Sequence, residues 1–128
     1  MSTILIVDDE PSILEVTSAI LERQGFQTIK AENAEDAEKV LVKGGIDAMV
    51  VDVVLPGRGG IDILMGLREH NSKIPVIVMS GKVRTGSDPF RLLAIQFGAK
   101  CILAKPFTGD ELVAAVKAVL GESCEQAG

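Results

Sequence analysis

The chain has no tryptophan and no tyrosine, a single histidine, two cysteines and no apolar run of membrane length. Each shortage removes a class of function. With four Phe as the only aromatics, there are no Trp or Tyr platforms on which flavins or nucleobases would stack. One histidine, His70, and two cysteines, Cys101 and Cys124, make a poor zinc set. Cys101, in an apolar run, reads as core packing and Cys124, in a polar tail, as a free thiol, so no disulfide framework is expected and a reducing cytoplasm fits. Met1-Ser2-Thr3 passes directly into a strand-like run, without a basic segment or an 18-residue apolar stretch, so neither an export signal nor membrane insertion is expected. Positive charge is also in deficit, with 13 Lys and Arg against 18 Asp and Glu and a net charge of −5. Such a surface repels polyanions, and direct nucleic-acid binding is not expected.

What is present suits one compact domain. The 128 residues match a single domain, and an apolar fraction of 47% made mainly of Val, Ile, Leu and Ala supplies its core. Residues 1–120 are expected to form the domain and residues 121–128 a polar tail. Five short apolar runs read as buried strands: Ile4 to Val7, Gln27 to Ala31, Ala48 to Val51, Val76 to Met79 and Cys101 to Leu103. Helical spacing separates them. Pro11 opens the first helix, which turns Ile13, Leu14, Thr17, Ile20 and Leu21 to one face and closes at Gly25. Asn33 caps a second that ends at Gly44, and a third spans Ile61 to His70 with Ile61, Leu64 and Leu67 inward. A short fourth runs from Asp88 to Gly98, and Thr108 with Glu111 opens the last as a capping box. Strand then helix, five times over, predicts an α/β fold with a parallel sheet covered by helices on both faces.

Ligands of such sheets sit beyond the carboxyl ends of the strands. Asp8 and Asp9 are expected just after the first strand, the third is expected to end in Asp52 and the fourth in Ser80, and Lys105 follows the fifth. Three carboxylates about 5 Å apart repel by roughly 3 kcal/mol per pair at an effective dielectric near 20, so a compensating cation is expected. An all-oxygen donor set suits Mg²⁺, with Mn²⁺ as the alternative. Carboxylate, hard cation, lysine and hydroxyl together suit phosphoryl transfer, with Asp52 as nucleophile.

Taken in order, these segments resemble the receiver domain of response regulators, the phospho-accepting module of two-component signalling. Ile4-Leu5-Ile6-Val7-Asp8-Asp9-Glu10 is similar to the family's first strand and acidic pair, and Asp52-Val53-Val54-Leu55-Pro56 with Gly60 to its phosphoacceptor segment. Ser80-Gly81 matches its hydroxyl position, and Gly98-Ala99 through Lys105-Pro106-Phe107 its last strand and lysine. The resemblance implies a doubly wound (βα)5 fold of flavodoxin-like strand order 2-1-3-4-5. It implies Asp52 as phosphoacceptor, Asp9, Asp52 and the Val54 backbone carbonyl as Mg²⁺ ligands, and Asp8 acting through a metal-bound water. Ser80 and Lys105 would each bind a phosphoryl oxygen. The implied partners are a histidine kinase or histidine phosphotransfer protein, and a downstream protein at the face of the fourth helix, fifth strand and fifth helix. The domain itself is then a consumed phosphoacceptor with self-catalysed phosphorylation and dephosphorylation, not an enzyme.

The chain departs from the family at two places. Ile102 stands where an aromatic is usual, and the segment from Ser80 to Gly98 is a few residues long, the excess lying in residues 82–87. That loop and the fourth helix are therefore expected to carry the signal. Val54 offers no polar group to place a hydrolytic water, which predicts slow self-dephosphorylation. Two alternatives remain: a receiver-shaped interaction module that works without phosphorylation, and the amino-terminal piece of a longer regulator. A phosphohydrolase of the haloacid-dehalogenase type lacks its second acid at Val54, and a flavin or nucleotide module would meet Asp8-Asp9-Glu10 where its phosphate belongs.

Overall fold

The computed structural model describes residues 2–52, 60–69, 73–81, 95–96, 98–105 and 107–121. Five strands, β1 (Thr3–Val7), β2 (Gln27–Ala31), β3 (Ala48–Asp52), β4 (Val76–Gly81) and β5 (Cys101–Lys105), pair in the order β2-β1-β3-β4-β5. Every neighbouring pair is parallel. Helices α1 (Pro11–Arg23), α2 (Ala34–Lys43), α3 (Gly60–Glu69) and α4 (Gly109–Val119) flank the sheet, and Ile95 and Gln96 are helical as well. The helix expected at 88–98, the loop at 82–87, Val54, His70, Pro106 and Cys124 fall wholly or largely outside the described residues.

Alternation along the strands divides the core in two, because successive side chains point to opposite faces. Leu5, Val7, Met49, Val51, Val76 and Val78 pack under α2 and α3, where Ala34, Ala37, Ile63 and Leu64 meet them. Ile4, Ile6, Ala48, Val50, Ile77 and Met79 face the other way, toward Leu14 and Leu21 of α1 and Leu112 and Val116 of α4. Cys101 joins this second layer as a buried thiol, as its apolar context predicts.

The helix ends follow their local chemistry. Pro11 stands at the first position of α1. At the other end, Phe26 N–H donates to Leu21 O (3.2 Å) and Gly25 N–H to Glu22 O (3.0 Å), a Schellman closure that needs the positive φ of 94° at Gly25. Asn33 accepts the Asp36 N–H at 2.8 Å. Thr108 Oγ1 accepts from Glu111 N–H at 3.1 Å, while Glu111 Oε1 accepts from Thr108 N–H at 2.8 Å.

Three expectations need correction. First, β2 is not a buried strand: Gln27, Ile29 and Lys30 are exposed, because this edge strand pairs with β1 on one side only. Second, the inward face of α3 is wider than read: Leu64 is buried and Leu67 packs against the core as expected, but Ile63 is buried with them, and the side chain of Ile61 lies outside the described residues. Third, β4 runs one residue beyond Ser80 and Lys105 lies within β5 rather than after it, whereas β3 ends in Asp52 as expected. Ladder pairing Asp52 with Met79, Ser80 with Ala104 and Gly81 with Lys105 needs only backbone groups, which side-chain hydropathy does not report.

Candidate functional site

Parallel register brings the polar residues together. Val7 lies opposite Val51, so the residues that follow, Asp8 and Asp52, stand side by side at the carboxyl ends of β1 and β3. The Asp8 N–H extends the other edge of β1 by donating to Ala31 O at 3.1 Å. Met79 pairs with Asp52, which puts Ser80 one step beyond it on the next strand, and Gly81 pairs with Lys105 on the strand after that. Asp8 and Ser80 are buried, Asp52 is 8% exposed, and Asp9 is exposed.

Carboxylate oxygens of Asp8, Asp9 and Asp52 lie within 4.8 Å of one another. One ammonium joins two of them: Lys105 Nζ donates to Asp8 Oδ2 at 2.8 Å and to Asp52 Oδ2 at 2.7 Å. The second oxygen of Asp8 accepts the Glu10 N–H at 2.9 Å, an Asx turn just ahead of Pro11. Asp8 is thus held by protein at both oxygens, while Asp9 stands toward solvent. Burial by itself lowers the pKa of Lys105, but hydrogen bonds to Asp52 and Asp8 and the attraction of both carboxylates outweigh it and hold the ammonium above its ordinary lysine value.

The structure therefore assembles Asp8, Asp9, Asp52, Ser80 and Lys105 at one edge, as the strand-end argument required. It adds what that argument missed. Lys105 itself supplies part of the positive charge expected from a metal, and the Glu10 backbone positions Asp8. The Asp-x-Glu-Pro order signals that turn in retrospect. The cluster remains a fit for a hard divalent cation, since its donors are all carboxylate oxygens and three acids face one lysine. Val54, the remaining expected ligand, lies outside the described residues.

The family model of the response regulator receiver domain matches residues 4–117. The chain belongs to that family. Among curated relatives of this receiver domain, the phosphate regulon transcriptional regulatory protein PhoB of Pseudomonas aeruginosa is 38% identical over 120 residues, covering 92% of this chain and 51% of the relative. The transcriptional regulatory protein CpxR of Escherichia coli K12 is 37% identical over 123 residues, covering 96% and 51%. The chain spans about half the length of these curated relatives. A CheY-like response regulator receiver domain protein from Methanospirillum hungatei superposes with a TM-score of 0.87 at 25% identity, covering 100% of this chain and 99% of the other. The receiver fold and strand order are those implied by the sequence, and the domain is a signalling module of two-component systems rather than a classical enzyme. No helix among its described residues is long and apolar enough to cross a membrane.

Proposed function

We propose that this receiver accepts a phosphoryl group on Asp52 from a phosphohistidine protein, a histidine kinase or histidine phosphotransfer protein, and thereby changes its affinity for a downstream protein. The observation that carries the reading is the convergence of the Asp8, Asp9 and Asp52 carboxylates, within 4.8 Å of one another, with the Lys105 ammonium hydrogen-bonded to Asp52. In the transfer, an Asp52 oxygen bonds to phosphorus as the P–N bond to the donor imidazole breaks. The bonding pair leaves on the imidazole nitrogen, which takes a proton from solvent, and an acyl phosphate remains.

Asp9, Asp52 and the Val54 backbone carbonyl would be the direct Mg²⁺ ligands in this reading, with Asp8 acting through a water, and Mn²⁺ suits the same oxygens. Bound Mg²⁺ supplies charge neutralisation for the phosphoryl oxygens. Once Asp52 is an acyl phosphate it no longer offers Lys105 a full carboxylate charge, so the ammonium turns to a phosphoryl oxygen. Ser80, buried on the strand next to Asp52, takes another oxygen through its hydroxyl. The output face is assigned to the segment at 88–98, β5 and α4, so that the signal leaves by protein contact rather than by DNA binding.

A second reading, an interaction module that is never phosphorylated, draws support from Lys105, which already bridges Asp8 and Asp52. Intact mass after incubation with acetyl phosphate, with and without Mg²⁺, separates the two. One phosphoryl addition that requires both Mg²⁺ and Asp52, and is absent from Asp52→Asn, is expected. No addition under conditions that label a control receiver overturns the phosphoacceptor reading in favour of the second.

A further inference from the structure

The phosphoacceptor reading makes no use of β2. In the order β2-β1-β3-β4-β5 it lies at the edge of the sheet opposite β5, and among the described residues no strand pairs with its outer side. Gln27 N–H donates to Ser2 O at 2.9 Å and Ala31 O accepts from Asp8 N–H at 3.1 Å, so the backbone groups of residues 27 and 31 point toward β1. Those groups alternate in direction along a strand. Ile29 therefore also turns its backbone to β1, while Thr28 and Lys30 turn theirs to the open side. Thr28 and Ile29, with Glu22 and Gln27, line an open groove there.

Side chains divide between the two faces of the edge. Thr28 and Lys30 lie on the α1 face, where the Thr28 hydroxyl donates to Glu22 Oε2 at 2.7 Å and Lys30 Nζ donates to Glu15 Oε2 at 2.8 Å. On the other face Ile29, the middle residue of β2, is 38% exposed. An apolar side chain thus stands at the centre of a strand edge with a base and an acid on its opposite face.

These groups complement themselves across a two-fold axis at Ile29. In antiparallel pairing about that axis, Thr28 stands opposite the partner's Lys30 and Lys30 opposite the partner's Thr28, and each pair exchanges both backbone hydrogen bonds. Ile29 meets the partner's Ile29 in the intervening pair, the kind that brings side chains closest. On the α1 face each Lys30 comes beside the Thr28 hydroxyl held by the partner's Glu22, so it keeps Glu15 and gains a second carboxylate. The register centred on Lys30 would instead set like charges face to face. An unrelated extended segment could use the same backbone groups, but the reciprocal match of apolar centre, base and acid is what a second copy supplies. We propose that two copies of the chain pair antiparallel through β2 into one continuous sheet. A strand edge buries less than the roughly 800 Å² per partner of a stable complex, so the association is weak and concentration-dependent.

The test is sedimentation equilibrium of the whole chain at about 0.15 M salt, which screens the repulsion between two copies beyond about 8 Å. A monomer–dimer equilibrium is expected, weakened at least tenfold in Ile29→Lys and in Lys30→Glu, both at exposed positions. Either variant decides the matter if the other fails to fold. Glu22→Lys is expected to weaken pairing too, whereas an equal mixture of Lys30→Glu and Glu22→Lys is expected to recover a heterodimer, because each acid then faces a base. In the parent, amide exchange at Thr28 and Lys30 is expected to slow as protein concentration rises. Asp52→Asn is expected to associate as the parent does, so failure here is distinct from failure of the phosphoacceptor reading. A chain that stays monomeric up to its solubility limit, leaving the edge to a segment of another protein, overturns the proposal. So does a dimer that the folded Ile29→Lys and Lys30→Glu variants still form, or a charge-swapped mixture that stays monomeric.

Discussion

Lys105 Nζ and Asp8 Oδ2, 97 residues apart in the chain, meet at 2.8 Å. Asp8 is fully buried, and a buried carboxylate is tolerated only when paired and hydrogen-bonded. The same ammonium reaches Asp52 at 2.7 Å, so the first, third and fifth strands are joined at their carboxyl ends by one charge. Any ion or phosphoryl group entering the cluster must rearrange this bridge.

Removing the bridge should expose that dependence. Lys105→Met is expected to lower stability in chelator by about 1–3 kcal/mol, toward the lower side of buried-pair losses because the lysine side chain is 18% exposed. Added Mg²⁺ is expected to recover more stability in the variant than it adds to the parent. Urea denaturation with EDTA and with Mg²⁺ checks both.

The raised pKa of Lys105 sets a pH window. A cation held above its unfolded value stabilises the fold fully below that value, about 10.4 for lysine, and the contribution is lost as pH rises through the higher folded value. The stability difference between parent and Lys105→Met, both in chelator, should therefore be constant at pH 8 to 10 and close at more alkaline pH. A difference that grows with pH would contradict this assignment.

Asp9 is the exposed member of the acidic cluster. Asp9→Asn is expected to weaken Mg²⁺ binding at least tenfold by calorimetry. In chelator it should raise stability by about 0.5–1 kcal/mol, since it removes like charge that solvent already screens in part. A variant that binds Mg²⁺ as the parent does would remove Asp9 from the ligand set.

Thr108 opens α4 three residues after Lys105 and is held reciprocally with Glu111. Thr108→Ala should cost about 1 kcal/mol, and Thr108→Ser much less, because the hydroxyl rather than the methyl caps the helix. Thermal unfolding of both variants checks this. Gly25→Ala offers a backbone counterpart, expected to cost about 1–2 kcal/mol because its φ of 94° strains any Cβ.

Much of the fold was readable from local signals. Pro11, Asn33 and the Thr108–Glu111 pair mark helix starts because each acts on backbone groups within a turn of itself. The residues of the site were readable because they interrupt or end apolar runs in a fixed order. Two strand ends were not, since Ser80 and Lys105 are polar side chains on backbone still inside the ladder. Edge and interior were also hidden: Ile29 looks like a core residue, yet β2 has a neighbour on one side only.

The sequence by itself determined the α/β class, the positions of the helix caps and the set of acids, hydroxyl and lysine at the strand ends. Those depend on side-chain chemistry and on spacing within a few residues. Only the tertiary structure decided that Lys105 closes a bridge across Asp8 and Asp52, and that Asp8 rather than Asp9 is the buried acid. It also decided that α2 and α3 leave a cleft beside Gly66. The physical reason is common to all three: they depend on distances set by parallel register and helix packing between segments far apart in the chain, and no local pattern encodes such a distance.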